Sequence, residues 1–127
     1  MAERWQPGSP PIDATAFATL VATEPYLVIH FWAEWDGYDH QLEAAIKPVR
    51  AEFADRVAFR SADTDAAELV PVCWACGVVN VPSLSCFVHG QRVCTLVGVR
   101  TTVELRHLVS GLIAGGRMTE VQADADA

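Results

Sequence analysis

Val28-Ile29-His30-Phe31-Trp32-Ala33-Glu34-Trp35, continued by Asp36-Gly37-Tyr38-Asp39, is the stretch on which the reading of this chain turns. From Tyr26 to Trp32 the residues are β-branched, aromatic or otherwise apolar apart from His30, a short run that predicts a buried strand. Beyond it, Leu42, Ala45, Ile46, Val49 and Phe53 recur at helical spacing and predict a helix from Asp36 to about Asp55, kinked at Pro48. Asp36 to Asp39 therefore stand where a strand hands over to a helix. The first N–H groups of a helix lack partners and its dipole is positive there, so that junction favours an anionic side chain.

Outward from this junction the chain reads as an alternation of strands and helices, the mark of an α/β domain. Pro7, Pro10 and Pro11 make residues 1–12 a flexible arm. Asp13 is a good N-cap for a helix carrying Phe17, Leu20 and Val21, which ends before Pro25. A second buried strand is expected from Val57 to Ala62, then a helical segment from Ala66 to Cys76 that Pro71 splits into two. Strands at Leu84–Val88 and Arg92–Val97 flank His89-Gly90, a two-residue hairpin turn. Thr101 and Glu104 have capping-box spacing, and Leu105, Leu108, Val109, Leu112 and Ile113 continue a terminal helix stopped at Gly115-Gly116. Residues 13–114 form one domain in this reading, and the small, polar, acidic residues 115–127 a disordered tail.

The order of elements and several separated residues resemble the thioredoxin family. Phe31-Trp32-Ala33-Glu34-Trp35 with Gly37, Asp65, Val81-Pro82, Gly90 and Gly98 fall at near-family spacing. The resemblance implies a thioredoxin-like fold, with a central mixed sheet of four to five strands and helices on both faces, a cis Val81–Pro82 bond, and a first strand near the N-terminus that is short or lost. In that family the strand continues Cys-Gly-Pro-Cys; here it continues Asp-Gly-Tyr-Asp. A carboxylate cannot exchange disulfides, because that reaction needs a thiolate attacking sulfur. His30 stands where the family holds a buried acid, and Ser61 where many relatives hold a lysine, so the proton relay is altered as well. The family's kinking proline would align with Ala44, one turn before Pro48.

Asp36 and Asp39 are open to two readings. As N-cap and third helical residue they would stabilise the helix terminus; as like charges at i and i+3 they would form an acid–base pair with separated pKa values. His30 is either a hydrogen-bonded core residue or the partner of Asp39. Cys73 and Cys76 share one helical face, which suits core packing. If Pro71 restarts the helix, Cys73 sits in a first turn where the dipole lowers a thiol pKa, and the pair becomes a candidate redox couple. Cys86 and Cys94 fall on opposite faces if the hairpin turn has two residues, so they are not expected to pair with each other, and both read as core residues. A metal site built from His30, Asp36, Asp39 and His40 is a further alternative; a zinc site at the Cys-x-x-Cys would lack two ligands.

Composition narrows the partners. A net charge of −7 on 127 residues disfavours nucleic acid and anionic membrane surfaces. The longest apolar run falls far short of the ~20 residues that span a bilayer. Four cysteines without an export signal suggest a reducing, cytoplasmic setting. With no catalytic group and no cofactor motif assigned, the expected activity is binding. In the resemblance, Trp35, Asp36, Gly37, Tyr38, Asp39, Val81, Pro82 and Gly98 line a groove for a protein or extended peptide partner. A thiol–disulfide oxidoreductase or redox sensor using Cys73 and Cys76 is the alternative.

Overall fold

The computed structural model describes residues 5–115. The tail expected from residue 115 lies almost wholly outside them. Helix α1 (Ala14–Thr23) leads into strand β1 (Tyr26–Trp32), helix α2 (Tyr38–Phe53) and strand β2 (Ala58–Asp63). A 3-10 turn (Ala67–Leu69) precedes helix α3 (Val70–Ala75), strands β3 (Ser83–Val88) and β4 (Gln91–Val97), and helix α4 (Thr102–Gly115). The sheet order is β2-β1-β3-β4, with β1 parallel to β2 and the other neighbours antiparallel.

Alternation along β1 builds a core on each face. Leu27, Ile29 and Phe31 pack with Val72, Cys73 and Cys76 around α3, and Phe17 and Leu20 of α1 close that layer. Val28 joins Leu42, Ile46, Val49 and Phe53 of α2 and Leu105, Leu108 and Leu112 of α4 on the other face. Each side chain of that size, once buried, contributes roughly 1.5–3 kcal/mol, so the α2 stripe read from spacing is a main anchor of its face.

Local signals set several boundaries as expected. Asp13 caps α1 by accepting from Ala16 N at 2.7 Å. Thr101 Oγ1 accepts from Glu104 N at 3.1 Å while Thr101 N donates to Glu104 Oε1 at 2.9 Å, a reciprocal capping box. His89 and Gly90 both take positive φ, as a tight hairpin turn with the sheet's twist requires. Pro48 lies inside α2 and has no N–H for the carbonyl one turn back. Beside that break, the Thr102 hydroxyl donates to Ala45 O at 2.8 Å, tying α4 to α2.

Three expectations are corrected. The arm is not loose over its described part: Ser61 N donates to Pro10 O, Ile12 N to Ser61 O, and Pro11 bridges Ser61 in parallel sense. Prolines bar a full strand there, but a proline carbonyl still accepts, so a remnant of a fifth strand survives. Arg50, paired with Glu43 at 2.7 Å, also holds Ser9 Oγ at 3.0 Å, and Gly8 fits where any Cβ would strike Arg50. Second, α2 begins at Tyr38 rather than Asp36. Third, Cys86 and Cys94 are directly opposite, because a bulge between Cys86 and Phe87 shifts the register by one residue and returns both to one face.

Candidate functional site

The β1–α2 junction is built from the inside out. His30, on the α2 side of β1, is 1% exposed, and its Nε2 lies 2.6 Å from Asp39 Oδ1. Asp39 is fully buried in the first turn of α2, and its other oxygen accepts from Ala33 N at 3.0 Å. Both Asp39 oxygens are thus committed to the protein. The bond raised as an alternative for His30 is present, and it ties the strand end to the helix start from below.

This inward pull explains the late helix start. With the Asp39 side chain turned toward the strand, residues 33–39 wind as successive turns, Asp36 N to Ala33 O and Asp39 N to Asp36 O. Gly37 occupies the cap position without a side chain to offer. Asp36 Oδ1 accepts from Tyr38 N at a long 3.4 Å, and its Oδ2 is buried with no hydrogen-bond partner among the described residues. Burial, reinforced by the Asp39 carboxylate, raises the Asp36 pKa above the usual carboxylate value, while the Tyr38 N–H and His30 pull it down. Asp36 is therefore not the expected N-cap. His40, grouped with these residues as a metal donor, stacks on Trp5 of the arm at 4.0 Å instead. Among the described residues, no group of three or more His, Cys, Asp and Glu is placed to hold a metal ion.

The second candidate, Cys73 and Cys76, lies on and just after α3, which Pro71 opens as expected. Both thiols are free and buried. Burial raises the Cys73 pKa and pushes Cys76 up to about 11, against the lowering expected from a helix start. A helix of six residues has little dipole with which to offset desolvation. The Cys76 carbonyl, at the helix end, accepts from Thr95 Oγ1 at 2.6 Å and Arg92 Nη1 at 3.1 Å, which clamps α3 to β4.

Between these elements runs the loop whose Val81–Pro82 bond is cis, as the resemblance implied. Pro82 O accepts from Gly98 N at 2.8 Å, bringing the end of β4 beside it. The Val81 backbone forms no hydrogen bond among the described residues. A hollow of about 300 Å³ opens on each side of Val81. One is walled by Trp35, Cys73, Trp74 and Val79, the other by Tyr38, Gln41, Pro82 and Val99. Of the residues expected to line a groove, Trp35 and Val81 line the first hollow and Tyr38, Val81, Pro82 and Gly98 the second, whereas Gly37 lines neither and Asp36 and Asp39 are buried.

The face is strongly apolar at its surface. Trp35 is 73% exposed, Tyr38 61%, Trp74 80% and Val79 84%. Trp74 and Val79 were not expected here from sequence: Trp74 adjoins Cys73, but spacing alone does not tell which face of a short helix meets solvent, and Val79, two residues before Val81, lies in the loop after α3.

The sequence model of thioredoxin matches residues 10–111, most of the chain. The chain belongs to the thioredoxin family. It is similar to thioredoxin 1 of Synechococcus elongatus, at 29% identity over 86 residues covering 68% of this chain and 78% of that one. It is also similar to the chloroplastic M-type thioredoxin of Brassica napus, at 27% identity over 93 residues covering 72% of this chain and 51% of that protein. The chain thus spans about half the length of the Brassica protein. Among solved structures, oxidised mitochondrial thioredoxin 3 of Saccharomyces cerevisiae superposes with a TM-score of 0.73 at 22% identity, covering 82% of this chain and 95% of that one. Thioredoxin of Malassezia sympodialis gives 0.71 at 21% identity, covering 87% and 95%. These structures share the fold with this family member, whose residues 36 and 39 are carboxylates.

Proposed function

We propose that this thioredoxin-family chain has no dithiol chemistry at its β1–α2 junction and binds a protein or extended peptide across the face formed by Trp35, Tyr38, Trp74, Val79 and Val81. The observation that carries the reading is the state of Asp39: buried, with one oxygen on His30 and the other on Ala33 N. It anchors the loop and leaves no group free to attack. What the junction offers outward is apolar area, two aromatic anchors of the kind enriched at hot spots, and an unpaired Val81 backbone for strand-like pairing. Four cysteines that form no disulfide suit a reducing compartment such as the cytoplasm. Partners retained from native lysate by the parent should be lost by the Trp35→Ala, Tyr38→Ala double variant; identical retention by both would remove the binding face.

A second reading has one supporting observation. Cys73 lines the hollow beside Trp35 and Trp74, so a partner seated there would meet a sulfur. The similar proteins are thioredoxins by name, which favours redox chemistry in some form. Raised thiol pKa values oppose it, since the thiolate is the attacking species. Incubation with a glutathione redox series decides: a Cys73–Cys76 disulfide forming at cellular potentials supports the couple, and its absence removes it.

A further inference from the structure

Strands β3 and β4 carry a second pair of thiols, on the opposite face of the sheet from Cys73 and Cys76. Cys86 and Cys94 are direct partners in the antiparallel ladder, flanked by Ser85 opposite Thr95 and Phe87 opposite Arg92. Val93 is thereby left without a partner, the extra residue of the bulge. Without it the two cysteines would lie on opposite faces, since a one-residue slip reverses every side chain. With it both meet the core between the sheet and helices α2 and α4, Cys86 fully buried there and Cys94 half-buried against it. Neither is in a disulfide. Directly opposed residues of an antiparallel pair have Cα atoms about 4.5–5.5 Å apart, inside the roughly 4.4–6.8 Å that a disulfide spans.

We propose that Cys86 and Cys94 form a redox-modification site, closed to an intramolecular disulfide by a small-molecule disulfide of the glutathione type and reopened by thiols. Cys94 reacts first, being the more accessible residue. Its thiolate attacks one sulfur of the oxidant, which forms a mixed disulfide and releases one glutathione. Cys86 then gives up its proton and attacks the Cys94 sulfur, expelling the second glutathione. Two protein thiols are oxidised, the oxidant is reduced to two thiols, and the two protein protons end on those thiols. A reversible bond of this kind suits a reducing compartment, where the disulfides that do form are mostly transient or redox-sensing. It would tie β4 to its inner neighbour next to Thr95, whose hydroxyl donates to Cys76 O at 2.6 Å, and so stiffen the strand to which α3 is clamped.

Equilibration of the full chain with graded ratios of reduced to oxidised glutathione, acid quenching and peptide mapping by mass spectrometry test the site. Trypsin cuts after Arg92, between the two cysteines, so the bond joins peptide 61–92 to peptide 93–100. Peptide 61–92 also holds Cys73 and Cys76, and fragmentation identifies which sulfur is linked. The expected product is a Cys86–Cys94 bond that forms in the parent and in the Cys73→Ser, Cys76→Ser variant, and that reverts fully in dithiothreitol. Cys86→Ala should halt the reaction with glutathione retained on Cys94, and Cys94→Ser should leave Cys86 unmodified over the same period. Glutathione persisting on Cys94 of the parent, a bond through Cys94 between two chains, a map in which only Cys73 and Cys76 join, or reduced thiols at both positions under fully oxidised glutathione would each overturn the proposal.

Discussion

The β1–α2 junction and helix α3 border the same hollow, and each has half of what thiol chemistry requires. The junction has the position: the end of a strand, the start of a sixteen-residue helix, an exposed Trp35 beside it. Its two polar side chains are oxygen acids, one buried against His30 and Ala33, the other with a pKa that burial raises above the usual carboxylate value. Helix α3 has the sulfur, but Cys73 in this six-residue helix and Cys76 just after it are buried, and their thiols are harder to ionise than usual. A reactive cysteine needs both an accessible site and a stabilised thiolate. The difference teaches that element type and residue type must coincide at one place, and in this chain they do not.

The sharpest way to break the comparison is at the floor of the junction. Asp39→Ala leaves His30 and Ala33 N without their buried partner and should cost about 3–5 kcal/mol by denaturant unfolding. Asp36→Ala should change stability by less than about 1 kcal/mol, since Asp36 supplies no helix cap. Equal losses for the two would mean that the carboxylates share one structural role.

At the surface the effects should reverse, falling on binding and sparing the fold. Trp35→Ala with Tyr38→Ala should weaken partner binding by about 2 kcal/mol or more, while unfolding shifts by no more than about 0.5 kcal/mol per residue, as for other exposed positions. A large stability loss would show that these rings hold the junction together rather than serve a partner. For α3, alkylation of Cys76 at neutral pH should run roughly two orders of magnitude slower than that of an ordinary thiol on thiolate fraction alone, and should keep rising as pH approaches its value of about 11. A rate that levels off near pH 7 would place a stabilised thiolate in this helix.

The smallest effect concerns Asp36. Its folded pKa is raised, so the folded state holds the proton more firmly than the unfolded chain and stability declines as pH rises from the ordinary Asp value through the folded one. Asp36→Asn, which cannot ionise, should remove that decline: the variant gains on the parent at neutral pH, and the advantage vanishes below the ordinary Asp range. Parallel pH curves would show that Asp36 ionises freely.

Most of the fold was legible because its signals are local. The β1 run, the α2 stripe, the capping box at Thr101 and Glu104 and the His89-Gly90 turn each act within a few residues. The misreadings involve forces from elsewhere in the chain. Asp36 looks like a cap until Asp39 is drawn down by His30 and Ala33. Cys86 and Cys94 look mismatched until one bulge shifts the strand. The arm looks loose because prolines forbid a strand, yet Ser61 needs only the carbonyl of Pro10 and the N–H of Ile12. Of the candidate face, Trp35, Tyr38, Val81, Pro82 and Gly98 were named through the family resemblance, whereas Trp74, which α3 turns outward, and Val79, in the loop after it, emerge only from the structure.

Turnover of an accessible protein disulfide by the fully reduced chain tests the central claim most directly. With oxygen at residues 36 and 39 and the buried sulfurs of α3 protonated, the account predicts no reductase activity above that of the same chain carrying Cys73→Ser and Cys76→Ser. Catalytic turnover by the parent that disappears in that double variant would contradict it and would place dithiol chemistry at Cys73 and Cys76.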